Sequence, residues 1–205
     1  SSSMTSETES HLRQSGGMPK DRSEEIADEA LSVLASNGIA LDPALSVREL
    51  SAAEERVGVA FPPDLAALLR TALPVGERFP TWRDLDGPRL RAQLEQPVEG
   101  IVFDVLHNGF WHPGWSARPA DTTEAEEIAR SALALAPALV PIYGHRYLPL
   151  DPHAPGNPVL SVMQTDIIFY GANLAEYASN EFQHGWREPG PTTKVPFWDY
   201  FPLDY

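Results

Sequence analysis

From Ser23 onward, apolar residues recur at Ile26, Ala27, Ala30, Leu31, Val33 and Leu34 behind Glu24 and Glu25, with Gly38 just beyond. Acidic residues suit the positive start of a helix and glycine its end, so this stretch is predicted as an amphipathic helix whose apolar face needs a partner. Leu50-Ser51 followed by Glu54 reads as a capping box, in which hydroxyl and carboxylate each satisfy an orphan backbone donor, and Val57-Gly58 closes that short helix. Phe61-Pro62-Pro63-Asp64-Leu65 opens another, since proline is tolerated in the first turn and Asp64 suits the positive end; Leu65, Leu68, Leu69 and Leu73 form its buried face. The two helices are expected to meet at a tight corner. Residues 74 to 120 are dominated by prolines and aromatics; Arg89 to Leu94 is predicted as a short helix, and Ile101 to Leu106 is too short for periodicity to separate strand from helix. Thr123 with Glu126 is read as a second capping box, ahead of a helix bearing Ile128, Ala132, Leu133 and Leu135 that Pro137 ends.

The period then switches. Leu139 to Tyr143, Arg146 to Leu148, Val159 to Met163 and Ile167 to Tyr170 are short, β-branched or aromatic runs separated by Gly, Pro, Asn and Asp, the pattern of an antiparallel meander. Leu174, Tyr177, Ala178 and Phe182 predict a closing helix. The segment after Gly185 is irregular but carries Trp186, Phe197, Trp198, Tyr200 and Phe201, too aromatic for ordinary disorder, and is expected to pack against the body or another chain. There is no internal repeat. The fold class that follows is α+β, one antiparallel sheet with several helices around it. Residues 1–22 form an expected flexible tail, with Ser1-Ser2-Ser3 ahead of Met4 read as an addition to the native start; 23–188 form one domain; 189–205 form the aromatic tail.

Composition narrows the function. The chain has 205 residues and a net charge of −14, which repels phosphate backbones and anionic lipid, and its densest basic stretch, Arg83, Arg89 and Arg91, is interrupted by Asp84 and Asp86. Neither a nucleic-acid nor a membrane partner is expected. The absence of cysteine excludes disulfides, thiol catalysis and thiolate metal sites. No apolar run approaches the roughly 18 residues of a membrane span. Nothing near the start reads as a signal peptide, so a cytoplasmic location is expected. By segment the charge is −5 over residues 1–49 and −6 over 101–188, so only the latter can form a structured acidic face.

Candidate chemistry is sparse. Asp104, His107, His112, His145, Asp151, His153 and Asp166 could supply metal ligands, but His107 and His112 lack helical same-face spacing and no Glu stands between them as base. No metal and no cofactor is expected. Ser161 lacks a Gly-x-Ser-x-Gly elbow, no Ser-x-x-Lys occurs, and the two lysines, Lys20 and Lys194, lie in the tails. Gly144, Gly156 and Gly171 are isolated, so no phosphate-cradling loop is formed. No catalytic residue is assigned. Two stretches stand out as binding candidates. Phe110, Trp111, His112 and Trp115 could line a groove or plug a small core, and Tyr143, His145 and Arg146 could form a recognition turn or a buried polar network. Trp82 and Tyr170 complete the candidate surface.

Leu50-Ser51-x-x-Glu54-x-x-Val57-Gly58-x-x-Phe61-Pro62-Pro63-Asp64-Leu65-x-x-Leu68-Leu69 resembles the opening signature of the Smi/Knr family, part of the SUKH superfamily. Val140-Pro141-Ile142-Tyr143-Gly144, Gly156-Asn157-Pro158-Val159-Leu160-Ser161-Val162, Ile168 to Gly171 and the Leu174 to Phe182 helix are similar to that family's strand block and closing helix, the match covering about 48–183. The resemblance implies a SUKH-like fold and a non-enzymatic, intracellular protein-binding role. Its bacterial members include immunity proteins of polymorphic toxin systems, and its fungal members act in cell-wall and signalling regulation. A basic toxin domain would then suit the acidic balance. The competing expectations are a small-ligand sensor built on the aromatic loop and the His145-Arg146 turn and, behind it, a metal-dependent hydrolase built on the His/Asp set. The Phe110 to Trp115 loop, the helix from Thr123 and the aromatic tail depart from the family pattern.

Overall fold

The computed structural model describes residues 20–203; most of the expected N-terminal tail lies outside them. Helix α1 (Arg22–Ser36) starts where Asp21 accepts a hydrogen bond from the Glu24 amide, and it buries Ile26, Ala27, Ala30, Leu31, Val33 and Leu34 as the periodicity predicts. Strand β1 (Ala40–Pro43) follows, then α2 (Val47–Val57). The capping box of α2 is Ser46 with Glu49, ahead of the expected Ser51 and Glu54. Glu54 has other work: its carboxylate accepts from the Phe61 amide at 2.8 Å and braces the corner between α2 and α3 (Pro63–Thr71). Gly58, in the left-handed conformation, ends α2 as expected.

Strand β2 (Ala72–Val75) pairs antiparallel with β1, so the single-sheet expectation is corrected to two sheets. Four-residue strands that contain Pro43 and Pro74 carry no alternation to read.

Helix α4 (Pro88–His107) absorbs both the expected short helix and the undecided Ile101 to Leu106 stretch in 20 residues, with Pro97 inside it. An interior proline removes the donor that would meet the carbonyl four residues back. Here that carbonyl belongs to Gln93, and it accepts the Tyr147 hydroxyl at 2.7 Å instead. Helix α5 (Thr122–Leu135) is capped by Asp121, which accepts from the Glu124 amide, so the Thr123 and Glu126 box is not the one formed; Glu126 instead pairs with Arg130.

Strands β3 (Leu139–Tyr143), β4 (Arg146–Pro149), β5 (Val159–Met163) and β6 (Asp166–Gly171) form the expected antiparallel meander in sequential order, and α6 (Leu174–Phe182) closes it. Both faces of this sheet are covered. Val140, Leu148 and Val159 join the core made with α1, α3 and α6, while Tyr147, Leu160, Val162 and Ile167 join a second core with Ile101 and Val102 of α4. The aromatic tail packs on that second core in the same chain: Val195, Trp198 and Phe201 are buried, the Trp198 indole donates to the Pro137 carbonyl at 2.7 Å, and Tyr200–Leu203 forms the short α7. Two buried carboxylates tie elements together. Asp104 of α4 accepts from the amide and hydroxyl of Thr165 in the β5–β6 turn, and Asp64 at the start of α3 accepts from the Gly156 amide ahead of β5 at 2.9 Å. At Gly171 a β-carbon would sit within 2.6 Å of the Tyr177 Cα, so the end of β6 can pass α6 only as glycine. Among the described residues no helix is long and apolar enough to cross a membrane.

The Tyr147 bond to the proline-freed carbonyl yields a double-mutant test. Tyr147→Phe leaves Gln93's carbonyl buried without a donor and is expected to cost about 1–3 kcal/mol in urea unfolding. In a Pro97→Ala background, where residue 97 regains an amide N–H, the same change should cost measurably less.

Candidate functional site

Four of the candidate residues converge on the β3–β4 turn. Tyr143 ends β3, Gly144 and His145 form the turn, Arg146 starts β4, and Tyr170 comes from β6 two strands away. Arg146 is only 7% exposed, so its charge must be met internally. Its Nε donates to Glu181 Oε2 of α6 at 2.7 Å, its Nη1 donates to Ser161 Oγ of β5 at 2.9 Å, and its guanidinium lies 3.8 Å from the centre of the Tyr170 ring. The same Nη1 contacts His145 Nε2. Arginine has no acceptor, so the imidazole accepts at Nε2 and its proton resides on Nδ1. Burial, with Arg146 and Arg78 nearby, drives the His145 pKa down to about 4, which keeps the ring neutral near neutral pH.

The turn also organises a neighbour that nothing in the sequence marked. Arg78 stacks on Tyr143 with its guanidinium 4.6 Å from the ring centre, and Gly144, at φ +54°, leaves room for it: a β-carbon there would lie 2.7 Å from Arg78 Nη2. Beside it opens a cleft of about 390 Å³ bounded by Arg78, Arg89, Gln93, Gln96, Gly144 and His145. Gln93 is buried; its Nε2 donates to the carbonyls of Arg78 and Gly144, and its Oε1 has no partner among the described residues.

Tyr177, one helical turn before Glu181, borders a narrow apolar cavity of about 50 Å³ together with Leu34, Leu69, Phe79, Trp82 and Phe182. Its hydroxyl is buried without a hydrogen-bond partner among the described residues, and burial raises its pKa well above the ordinary value. Trp82, another of the candidates, is buried here against Phe61 at 5.2 Å between ring centres.

The aromatic loop is built as a plug. Phe110, Trp111 and Trp115 pack over Val105, Ala125 and Ala129. Arg118 binds the carbonyls of Phe110 and Val105 and faces the Trp111 ring. The tail closes the outside: Phe110 meets Phe201 at 5.7 Å, and His112 meets Phe197 at 5.1 Å and Tyr200 at 4.5 Å. The Gly114 amide donates to His112 Nδ1 at 3.0 Å, and burial lowers that imidazole's pKa from its ordinary value. Of the two readings of this loop, filling fits the geometry. Among the described residues, no three of His, Asp and Glu stand close enough to hold a metal ion. Sequence reasoning missed Arg78, Gln93, Tyr177 and Glu181; only Tyr177 and Glu181 carried a signal, their helical spacing on the closing helix.

No protein-family model, no curated protein and no solved structure matches the chain.

The buried pair gives a direct test. Arg146→Met strands Glu181 in a largely dry site and is expected to cost about 3–5 kcal/mol by urea unfolding, whereas Arg146→Met with Glu181→Leu should recover most of that loss. Equal losses in the single and double variants would mean that packing, rather than charge, holds α6 to the sheet.

Proposed function

We propose that this chain is a non-enzymatic protein-binding domain of the Smi/Knr kind, acting inside the cell as an immunity protein whose partner is a basic toxin domain. The observation that carries the reading is the bond from the Gly156 amide to Asp64 Oδ2. It joins the Pro63-Asp64 signature to the Gly156-Asn157 signature across 92 residues of sequence, so the two motifs on which the resemblance rests act as one structural unit. Asp64 is wholly buried, and burial raises its pKa, the mark of a carboxylate kept for its acceptor geometry rather than for surface charge. The order of elements supports the same reading: two helices at a corner, a four-strand meander and a closing helix.

The charge distribution supports the partner class. Helices α4 and α5 pack together, and Arg130 bridges Glu99 and Glu126 between them. Around that bridge Glu95, Asp121, Glu124 and Glu127 are exposed and form no ion pair among the described residues. A face of this kind accelerates encounter with a basic protein and is screened by salt. The absence of cysteine suits a reducing compartment.

The test is co-purification with the proteins encoded beside this chain, followed by binding kinetics across a salt series. Glu124→Lys with Glu127→Lys is expected to lower the association rate by about tenfold or more at low salt while leaving the dissociation rate nearly unchanged. An association rate indifferent both to salt and to this reversal would reject the electrostatic reading.

A further inference from the structure

We propose that the cleft beside the β3–β4 turn is a binding site for a small oxyanion, a phosphate monoester or a hydroxy-carboxylate, held between the guanidinium groups of Arg78 and Arg89. The proposal goes beyond the protein-binding role: neither Glu124 nor Glu127 borders the cleft, although its Arg89, Gln93 and Gln96 share α4 with Glu95 and Glu99.

Among the described residues Arg83, Arg130 and Arg146 form ion pairs with carboxylates and the other arginines form none, so what marks Arg78 and Arg89 is that they face one cleft. Arg78 is stacked on Tyr143, and Arg89 donates to the Gly76 carbonyl at 3.3 Å. Both side chains are therefore partly ordered before any ligand arrives, which reduces the entropy lost on binding. Glu77 is the one carboxylate on the cleft wall.

The remaining lining matches an oxyanion that also carries a hydroxyl. His145, with Nε2 occupied by Arg146, keeps Nδ1–H as a donor. Gln93 Oε1 is enclosed behind the cleft wall with no donor among the described residues, so a small side-chain shift would offer it to a ligand hydroxyl. The site is shallow and open, so its hold on a small anion rests on the two guanidinium groups rather than on enclosure. The chain's overall negative field opposes a polyanion, so the ligand class is a metabolite-sized anion rather than nucleic acid. Burial is the main cause of the low His145 pKa of about 4, and the charges of Arg146 and Arg78 add to it.

The experiment titrates the whole chain at low ionic strength with three probes: inorganic phosphate, glycerol phosphate and malate. Calorimetry is read beside the NMR titration of the His145 ring. At least one probe is expected to bind with a Kd on the order of 1 mM or below. Bound anion should move the His145 pKa upward, with Glu77, Arg78, Arg89, Arg146 and Glu181 as the other charges around the turn. Arg78→Gln and Arg89→Gln should each weaken binding about tenfold or more, and Arg78→Lys should weaken it less than Arg78→Gln. Preference for glycerol phosphate over malate would identify a phosphate site, and the reverse a carboxylate site. No response to any probe would overturn the proposal. So would binding that survives both Gln changes, or that leaves the His145 titration unmoved. Both arginines are exposed, and unchanged thermal unfolding of the Gln variants separates loss of binding from loss of fold.

Discussion

Strand β4 has no face left for water, and that single constraint dictates what stands on either side of it. All four of its residues are buried. A strand in that position must meet each polar atom from within the protein. Tyr147 points to one layer, where the Gln93 carbonyl freed by Pro97 takes its hydroxyl. Leu148 points to the other and joins the apolar core of α1, α3 and α6. Arg146 carries a full charge into the same layer, and α6 answers with Glu181. Each fully buried aliphatic side chain contributes about 1.5–3 kcal/mol, and an unmet charge would erase several of them. The helices are thus selected for the groups they bring as well as for their apolar faces.

The candidate site follows from that arrangement. Because Arg146 is fixed by Glu181, Ser161 and Tyr170, its remaining Nη1 contact with His145 fixes the tautomer of the imidazole at the turn. The neutral ring and the glycine before it then make room for Arg78 over Tyr143. A buried structural pair therefore ends at the surface as an ordered cationic rim. The interior is dry enough to favour complete pairing, whereas the rim is wet, so Arg78 and Arg89 can stand without carboxylates at little cost.

What the sequence disclosed, and what it withheld, divides along the range of the interactions involved. The meander strands and the closing helix were legible because β-branched runs and a helical period are local signals. The length of α4 was not, since Pro97 argues for a break and the group that compensates it, Tyr147, is fifty residues away. Both misplaced caps arose from overlapping motifs. Ser46-x-x-Glu49 competes with Ser51-x-x-Glu54, and Asp121-x-x-Glu124 with Thr123-x-x-Glu126; Glu54 is taken by the Phe61 amide across the corner, and Glu126 by Arg130 one turn on in its own helix. The turn residues Tyr143, His145 and Arg146 could be singled out by composition. Arg78 and Gln93 could not, because a loop arginine and a helical glutamine gain meaning only from the glycine they enclose.

The two ends of the electrostatic pattern bear on one another. The acidic surface proposed on α4 and α5 acts over a Debye length of about 8 Å at physiological salt, and it shares α4 with the cleft, whose Arg89, Gln93 and Gln96 flank Glu95. The cleft works at contact distance, where guanidinium geometry outweighs net charge. On the two proposals, one chain would draw in a basic macromolecule at long range and hold a small anion at contact. The separation depends on Arg146 remaining paired inside: were Glu181 lost, the buried guanidinium would become the nearest site for any anion, and the cleft would compete with its own foundation.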